Sequence, residues 1–357
     1  MVEAMRGGAG GRAKLSAAAG LALLAAALPA GPVRADSVED FYRGKQINLL
    51  VGSGAGGGYD AYARVFARHF GKHVPGHPSI IAKNLPAGGG MAAANTLANT
   101  SDKDGLTIAA HTNGIAMDPL FGNPGAKFDG RAFHWLGSIG KLQNVCAVWH
   151  LHPVKTIEQA RTLGFTAAGA GATSNTVIVP KILNTLIGTK IKVIAGYEPG
   201  QGDAIAMESG EVDGVCGLAW STIKASRAHW INEKKITVLV QMAFDKLPDL
   251  PDTPSALDLV SNDADRKVLE LILIRQEMGR PFSTPPGVPA ERVAALRRAF
   301  DATMKDPEFI AEAARAQLEI EPLTGEQIET LLAGAYAAPK DIVQRASALI
   351  NPAASAK

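Results

Sequence analysis

The apolar run Ile47-Asn48-Leu49-Leu50-Val51 passes directly into Gly52-Ser53-Gly54-Ala55-Gly56-Gly57-Gly58-Tyr59-Asp60. Residues 61–70 then repeat with helical period, with Ala, Val and Phe on one face and Arg64, Arg68 and Lys72 on another. A strand, a glycine loop and a helix in that order leave bare backbone N–H groups at a helix N-terminus, a natural place for an anion. Glycine suits the loop because a β-carbon would block close approach and because some positions need positive φ. Gly52-x-Gly54-x-x-Gly57 has the form of a dinucleotide fingerprint, but that fingerprint also needs an acid about 20 residues on, at the end of the next strand. Here that strand ends Ala82-Lys83-Asn84-Leu85-Pro86, without one. No Gly-Lys-Ser/Thr closes the loop, which removes the P-loop reading.

From Gly52 to Asp60 there is no cation. A carboxylate held there depends on backbone donors, each charge-assisted bond contributing about 1.5–3 kcal/mol. The helix terminus adds about 0.3–1 kcal/mol. Asp60 also reads as a cap of that helix and as the i,i+4 partner of Arg64, and for these two side chains the structural role is preferred.

A second glycine-rich loop, Asn84-Leu85-Pro86-Ala87-Gly88-Gly89-Gly90-Met91, follows the next strand and again opens a helix. A third loop, His111-Thr112-Asn113-Gly114, also follows a strand. Loops after adjacent parallel strands lie side by side at the carboxyl edge of a sheet, where open α/β folds bind ligands. Further on, Ala168-Gly169-Ala170-Gly171-Ala172-Thr173-Ser174-Asn175 precedes a helix. The hydroxyls of Thr173 and Ser174 serve there as caps, as ligand donors, or as both.

Strand-like runs fall at 47–51, 79–83, 107–110, 134–139, 145–149, 166–168, 191–195, 214–218, 236–242 and 271–276, with helical patterns between most of them. This alternation predicts an α/β fold with mainly parallel strands. The last quarter is helical. Proline clusters at 247–254 and 280–289 mark boundaries and fit a chain that leaves a second lobe and returns to the first. The expected division is 36–141 for the first lobe, 142–268 for the second, and 269–357 for the return segment and C-terminal helices.

Residues 1–35 have the layout of a secretory signal peptide. Arg6, Arg12 and Lys14 precede an Ala/Leu stretch, and Val33-Arg34-Ala35 offers small residues for cleavage near Ala35. The leader holds four of the 36 basic residues and one of the 34 acidic ones, so without it the chain carries a net charge of −1. The basic balance of the precursor is therefore no sign of nucleic acid, and no basic run interleaved with aromatics supports one. No later segment has the roughly 18 uninterrupted apolar residues of a membrane span. Export permits a disulfide between Cys146 and Cys216, but the burial habit of cysteine favours two free thiols.

Catalytic and metal-binding patterns are poor. Ser53 lies in Gly-Ser-Gly, which is not a nucleophile elbow. The eight histidines are scattered, and His69 and His73 read as a solvated surface pair because Gly71 and Pro75 end their helix. Trp135, Trp149, Trp220 and Trp230 read as core or cleft wall. No catalytic residue, metal or cofactor is expected.

Taken in order, the motifs resemble one family. They are Gly56-Gly57-Gly58-Tyr59-Asp60 with Arg64, Asn84-x-Pro86 with its glycines, and Asp102-Lys103-Asp104-Gly105. Then come Gly171-Ala172-Thr173, Tyr197-x-x-Gly200, Gly210-Glu211-Val212-Asp213-Gly214 and Pro285-Pro286-Gly287-Val288-Pro289. The chain is similar to the extracytoplasmic solute receptors of tripartite tricarboxylate transporters, the Bug-type receptors. That resemblance implies a two-lobed periplasmic binding protein of type II-like topology, its lobes joined by two crossing strands, closing like a flytrap near 140–143 and 271–276. It implies a non-enzymatic, monomeric receptor that binds a small organic acid and delivers it to membrane permease subunits. Gly56, Gly57, Gly58, Tyr59 and Asp60, with Ala87, Gly88 and Gly89, fall on the first-lobe loops, and Thr112 lies on the third. Gly171, Thr173, Ser174 and Asn175 fall on the second-lobe loop, with Tyr197 and Gly200 near it. The chain departs from the family at Ala87-Gly88-Gly89, around Asn175–Thr176 and at Glu198; an acid there repels a second carboxylate, so citrate is not predicted. The other readings of the sequence are an exported enzyme using Ser53 or Asp60, and a receptor that presents its ligand to a membrane sensor.

Overall fold

The structure, a computed structural model, describes residues 37–171, 174–198 and 201–351. The expected leader, Thr173 and Gly200 lie outside the described residues. The strands are β1 (Gln46–Val51), β2 (Ser79–Asn84), β3 (Thr107–Ala110), β4 (His134–Ser138), β5 (Asn144–Trp149), β6 (Phe165–Gly169), β7 (Ile191–Ala195), β8 (Gly214–Ala219), β9 (Ile236–Met242), β10 (Pro281–Thr284) and β11 (Leu323–Thr324). One sheet has the order β11-β4-β10-β3-β1-β2, and the other β7-β6-β8-β5-β9.

Both sheets follow one plan. β1 pairs in parallel with β2 and β3, and β10 lies antiparallel between β3 and β4. Likewise β6 pairs in parallel with β7 and β8, and β5 lies antiparallel between β8 and β9. The expected two-lobed fold is therefore present, but its sheets are mixed rather than mainly parallel. In each, the fourth strand arrives from the other lobe instead of through a βαβ crossover, and it runs against the parallel trio.

The strand expected at 271–276 is corrected. Those residues belong to the helix Asp263–Glu277, whose N-cap Asn262 accepts from Asp265 N at 2.9 Å. Val268, Leu269, Leu271, Ile272 and Leu273 are all core residues. A helix buried on most sides loses the periodicity that separates it from a strand. The second crossing is thus the end of a helix followed by residues 278–280, not a strand. It presses on the first crossing so closely that a β-carbon at Gly279 would lie 2.6 Å from Gly140 O. Leu142 N donates to Gln276 O at 2.8 Å, and Asn144 N donates to Gln276 Oε1 at 2.9 Å. The strand β10 was not expected either, because Pro281 reads as a break; proline is tolerated as the first residue of a strand.

Under the first sheet, Phe66 packs on Phe282 and Phe300 with ring centroids 4.4 and 5.5 Å apart. This cluster seats the helix Gly58–Phe70 against β10 and the helix Ala290–Met304. His69 and His73 are not a solvated pair. His69 Nε2 meets Glu312 Oε2 at 2.6 Å and His73 Nε2 meets Asp306 Oδ2 at 2.9 Å, both at the helix Pro307–Arg315. Lys72 Nζ bonds both Asp306 and Glu308, so a cation already lies between these acids. Among the described residues no helix is long and apolar enough to cross a membrane.

The expectation of free thiols is also corrected. Cys146 and Cys216 face each other across the β5–β8 pair and are joined as a disulfide that closes a loop of 70 residues. Cross-linking a loop of this size contributes about 2–4 kcal/mol. The variant Cys146→Ala/Cys216→Ala is expected to lose a comparable amount of unfolding free energy, read from the urea midpoint under non-reducing conditions.

Candidate ligand site

The two glycine-rich loops touch backbone to backbone. A β-carbon at Gly90 would lie 2.7 Å from Gly52 O, and one at Gly52 would lie 3.3 Å from Gly90 Cα. Gly88, Gly89 and Gly90 all have positive φ, at 65°, 69° and 98°, a run that glycine adopts without a steric cost. Thr112 Oγ1 donates to Gly89 O at 2.9 Å and ties in the third loop.

Asp60 holds the first loop from behind. It is the third residue of its helix and not the cap, which is Gly57. Its carboxylate accepts from Gly56 N (2.9 Å), Arg64 Nε (2.8 Å) and Asn84 Nδ2 (2.8 Å). Burial opposes the charge, but Arg64, the Gly56 N–H and Asn84 together hold the carboxyl below its usual range. Asn84 Nδ2 also donates to Ser53 O at 2.9 Å, joining the end of β2 to the loop after β1.

These loops open on a cavity of about 480 Å³. Gly52–Gly54, Tyr59, Gly88, Gly89 and Thr112–Gly114 form the first-lobe wall, and Gly171, Ser174 and Asn175 the facing wall. Asp118 and Arg275 also line it. A smaller cavity, about 240 Å³, lies on the other side of the first loop, between Gly56–Gly58 and Ser221, Thr222 and Arg227. Arg280 lines it too, its guanidinium carbon 3.8 Å from the centre of the Tyr62 ring.

Of the residues that the sequence marks as ligand-binding, Tyr59, Gly88, Gly89, Thr112, Gly171, Ser174 and Asn175 come together at the larger cavity. Gly56, Gly57 and Gly58 line the smaller one. Asp60, Ala87 and Tyr197 line neither. Tyr197 Oη instead donates to Glu211 Oε1 at 2.7 Å. The Tyr59 hydroxyl donates to Asn113 Oδ1 at 3.2 Å and accepts from Asn113 N at 3.1 Å, and burial raises its pKa. Ser174 is the N-cap of the helix Asn175–Ile182 by position, but its hydroxyl makes no cap bond and meets Thr176 Oγ1 at 3.0 Å. Asn113 lies on the third loop marked in the sequence, whereas Asp118 and Arg275 carry no motif that marks them. The one signal for Arg275 is a lone cation in an apolar run. Ser53 Oγ and Arg275 Nε are buried atoms without a hydrogen-bond partner. Burial pushes the Asp118 carboxyl above its usual range, against the pull of Arg275.

No family model matches the chain. It is 26% identical over 284 residues, 76% of this chain and 75% of the relative, to the UPF0065 protein in the TAR-I ttuE-ttuC' intergenic region of Agrobacterium vitis. Among solved structures it superimposes on a TctC solute binding protein from Polaromonas with a TM-score of 0.64 at 20% identity, covering 87% of this chain and 99% of that one. The resemblance to the Bug-type receptors holds. A second solved structure of the same fold, R. palustris Rpa4515 with adipate, has a TM-score of 0.64 at 19% identity, covering 85% of this chain and 97% of that one. Both solved neighbours share the fold of this chain.

Two expected outcomes follow from the loop geometry. Gly90→Ala places a side chain on a left-handed residue pressed against Gly52. It should destabilise the protein by at least about 1–2 kcal/mol in denaturant melts, the cost of αL for a residue with a β-carbon. His111, just before Thr112, is 1% exposed, bonds Ser283 Oγ through Nε2 at 2.8 Å, and has its pKa pushed down to about 3 by burial. An unfolded histidine titrates near 6.5, so between these values the unfolded chain binds more protons and stability falls as pH drops. From pH 7.5 to 5 this one group should cost about 2 kcal/mol, and urea melts of His111→Gln should show that loss removed.

Proposed function

We propose that the chain is a periplasmic solute receptor. It binds a small organic carboxylate in the cleft between its lobes and delivers it to the permease subunits of a tripartite tricarboxylate-type transporter. The observation that carries this reading is the larger cavity: paired glycine loops at the carboxyl ends of parallel strands on one wall, and Gly171, Ser174 and Asn175 facing them. The helix Gly58–Phe70 begins beside it without a side-chain cap, leaving its first N–H groups to solvent or ligand. Adipate in a neighbour of the same fold supports a carboxylate as the ligand class. In this reading the leader is removed near Ala35, the lobes are 36–141 with 269–357 and 142–268, and they close about residues 139–143 and 278–280.

Ser53 favours binding over chemistry. Its Oγ has no hydrogen-bond partner, and hence no base to activate it. The test is a thermal-shift screen of the mature chain against mono- and dicarboxylates, followed by mass spectrometry of the bound compound. A true ligand at 100 times its Kd contributes about 2.7 kcal/mol, or roughly 4 °C in Tm for a protein of this size. The ligand should be recovered unchanged. A screen in which no carboxylate raises the Tm sinks the ligand class, and recovery of a product sinks the receptor reading.

A further inference from the structure

The proposed site gains a side-chain cation from the return helix. Arg275 lies in the last turn of Asp263–Glu277, is 8% exposed, and lines the larger cavity. Its Nε is buried and lacks a hydrogen-bond partner. Asp118 lines the same cavity, its carboxyl made harder to ionise by burial despite the attraction of Arg275. Arginine keeps its charge at every pH the protein meets. A buried guanidinium nitrogen without an acceptor is unfavourable, and an acceptor that arrives from outside the chain satisfies it.

The first lobe is shaped around this group. Gly114 faces the guanidinium so closely that a β-carbon there would collide with Nη2. The other end of the same turn is fixed, because Gln276 bonds Leu142 N and Asn144 N at the crossing. Ser53 Oγ is a second buried, unpartnered donor lining the same cavity. A planar fork of donors, held in place with its Nε unpaired, matches a carboxylate.

We propose that Arg275 is the specificity-determining residue of the cleft, taking a carboxylate of the ligand directly in its guanidinium fork. This rests on the carboxylate reading above and names the group through which charge is recognised. An acid is then preferred over its own amide, because the amide offers the fork one neutral acceptor oxygen where the carboxylate offers two charged ones. A purely structural Arg275, acting on the helix C-terminus, would instead support the ligand-free protein and leave the preference between acid and amide unchanged.

The experiment compares wild type, Arg275→Met, Arg275→Lys and Gly114→Ala by calorimetry and thermal shift, with acetate, malate and adipate as probes and adipamide as the neutral counterpart of adipate. Wild type should bind at least one of the acids and discriminate against the amide. Arg275→Met should bind that acid about 30-fold or more weakly and lose the discrimination, while its ligand-free Tm stays equal or rises. Arg275→Lys should retain part of the affinity, and Gly114→Ala should lose affinity by crowding the guanidinium. Should Arg275→Met fail to fold, Arg275→Lys and Gly114→Ala carry the comparison. Binding by Arg275→Met within about 3-fold of wild type overturns the assignment and leaves the carboxylate reading standing. Failure of every acid to bind wild type overturns that reading, and the assignment with it.

Discussion

The site depends on one contact between two bare backbones. Gly52 and Gly90 approach so closely that neither tolerates a β-carbon without displacing the other. That approach sets the loop after β1 against the loop after β2, and the three left-handed glycines before Met91 turn the second loop into its helix. Asp60 and Asn84 hold the arrangement from behind. Their bonds tie Gly56, Arg64 and Ser53 into one network that faces away from the cavity. Asp60 and Arg64 thus take the structural role preferred for them from the sequence, and glycines form much of the wall.

Electrostatics divide the cleft into two kinds of donor. On the first lobe, positive potential comes from amide groups at the start of the helix Gly58–Phe70, where no side chain caps the end. The return helix contributes a permanent charge at Arg275, with the Asp118 carboxyl, its pKa raised by burial, in the same cavity. Amides and helix ends discriminate weakly among anions, whereas a guanidinium fork is selective for planar oxyanions.

Much of the fold was legible in the sequence. The nine strands read between 47 and 242 have counterparts in the structure, because each is a short apolar run bounded by turn residues. Three of the failures have separate physical causes. Residues 271–276 form a helix buried on most sides, and burial erased its periodicity. β10 begins at a proline, which hides a central strand behind a loop signal. Cys146 and Cys216 are 70 residues apart, and only the β5–β8 register brings them together. At the site, the glycine loops were visible because glycine has a local meaning. Arg275 was not, since its importance arises from a partner missing in three dimensions, which no local pattern encodes.

The place of β10 in its sheet has a consequence for how the chain acquires its structure. β4 pairs only with β10 and β11 among the described strands, and β3 reaches β4 only through β10. When the polypeptide emerges from its N-terminus, β1, β2 and β3 can assemble early, but β4 has no neighbour until residues 281–284 have appeared and turned back. The whole of the other sheet is made in the interval. The first lobe is thus begun first and completed last, its closure deferred across a long stretch of sequence, which is the topology of a slow folder. The first lobe therefore stays open while the second sheet is made, and its last pairing joins segments more than 140 residues apart.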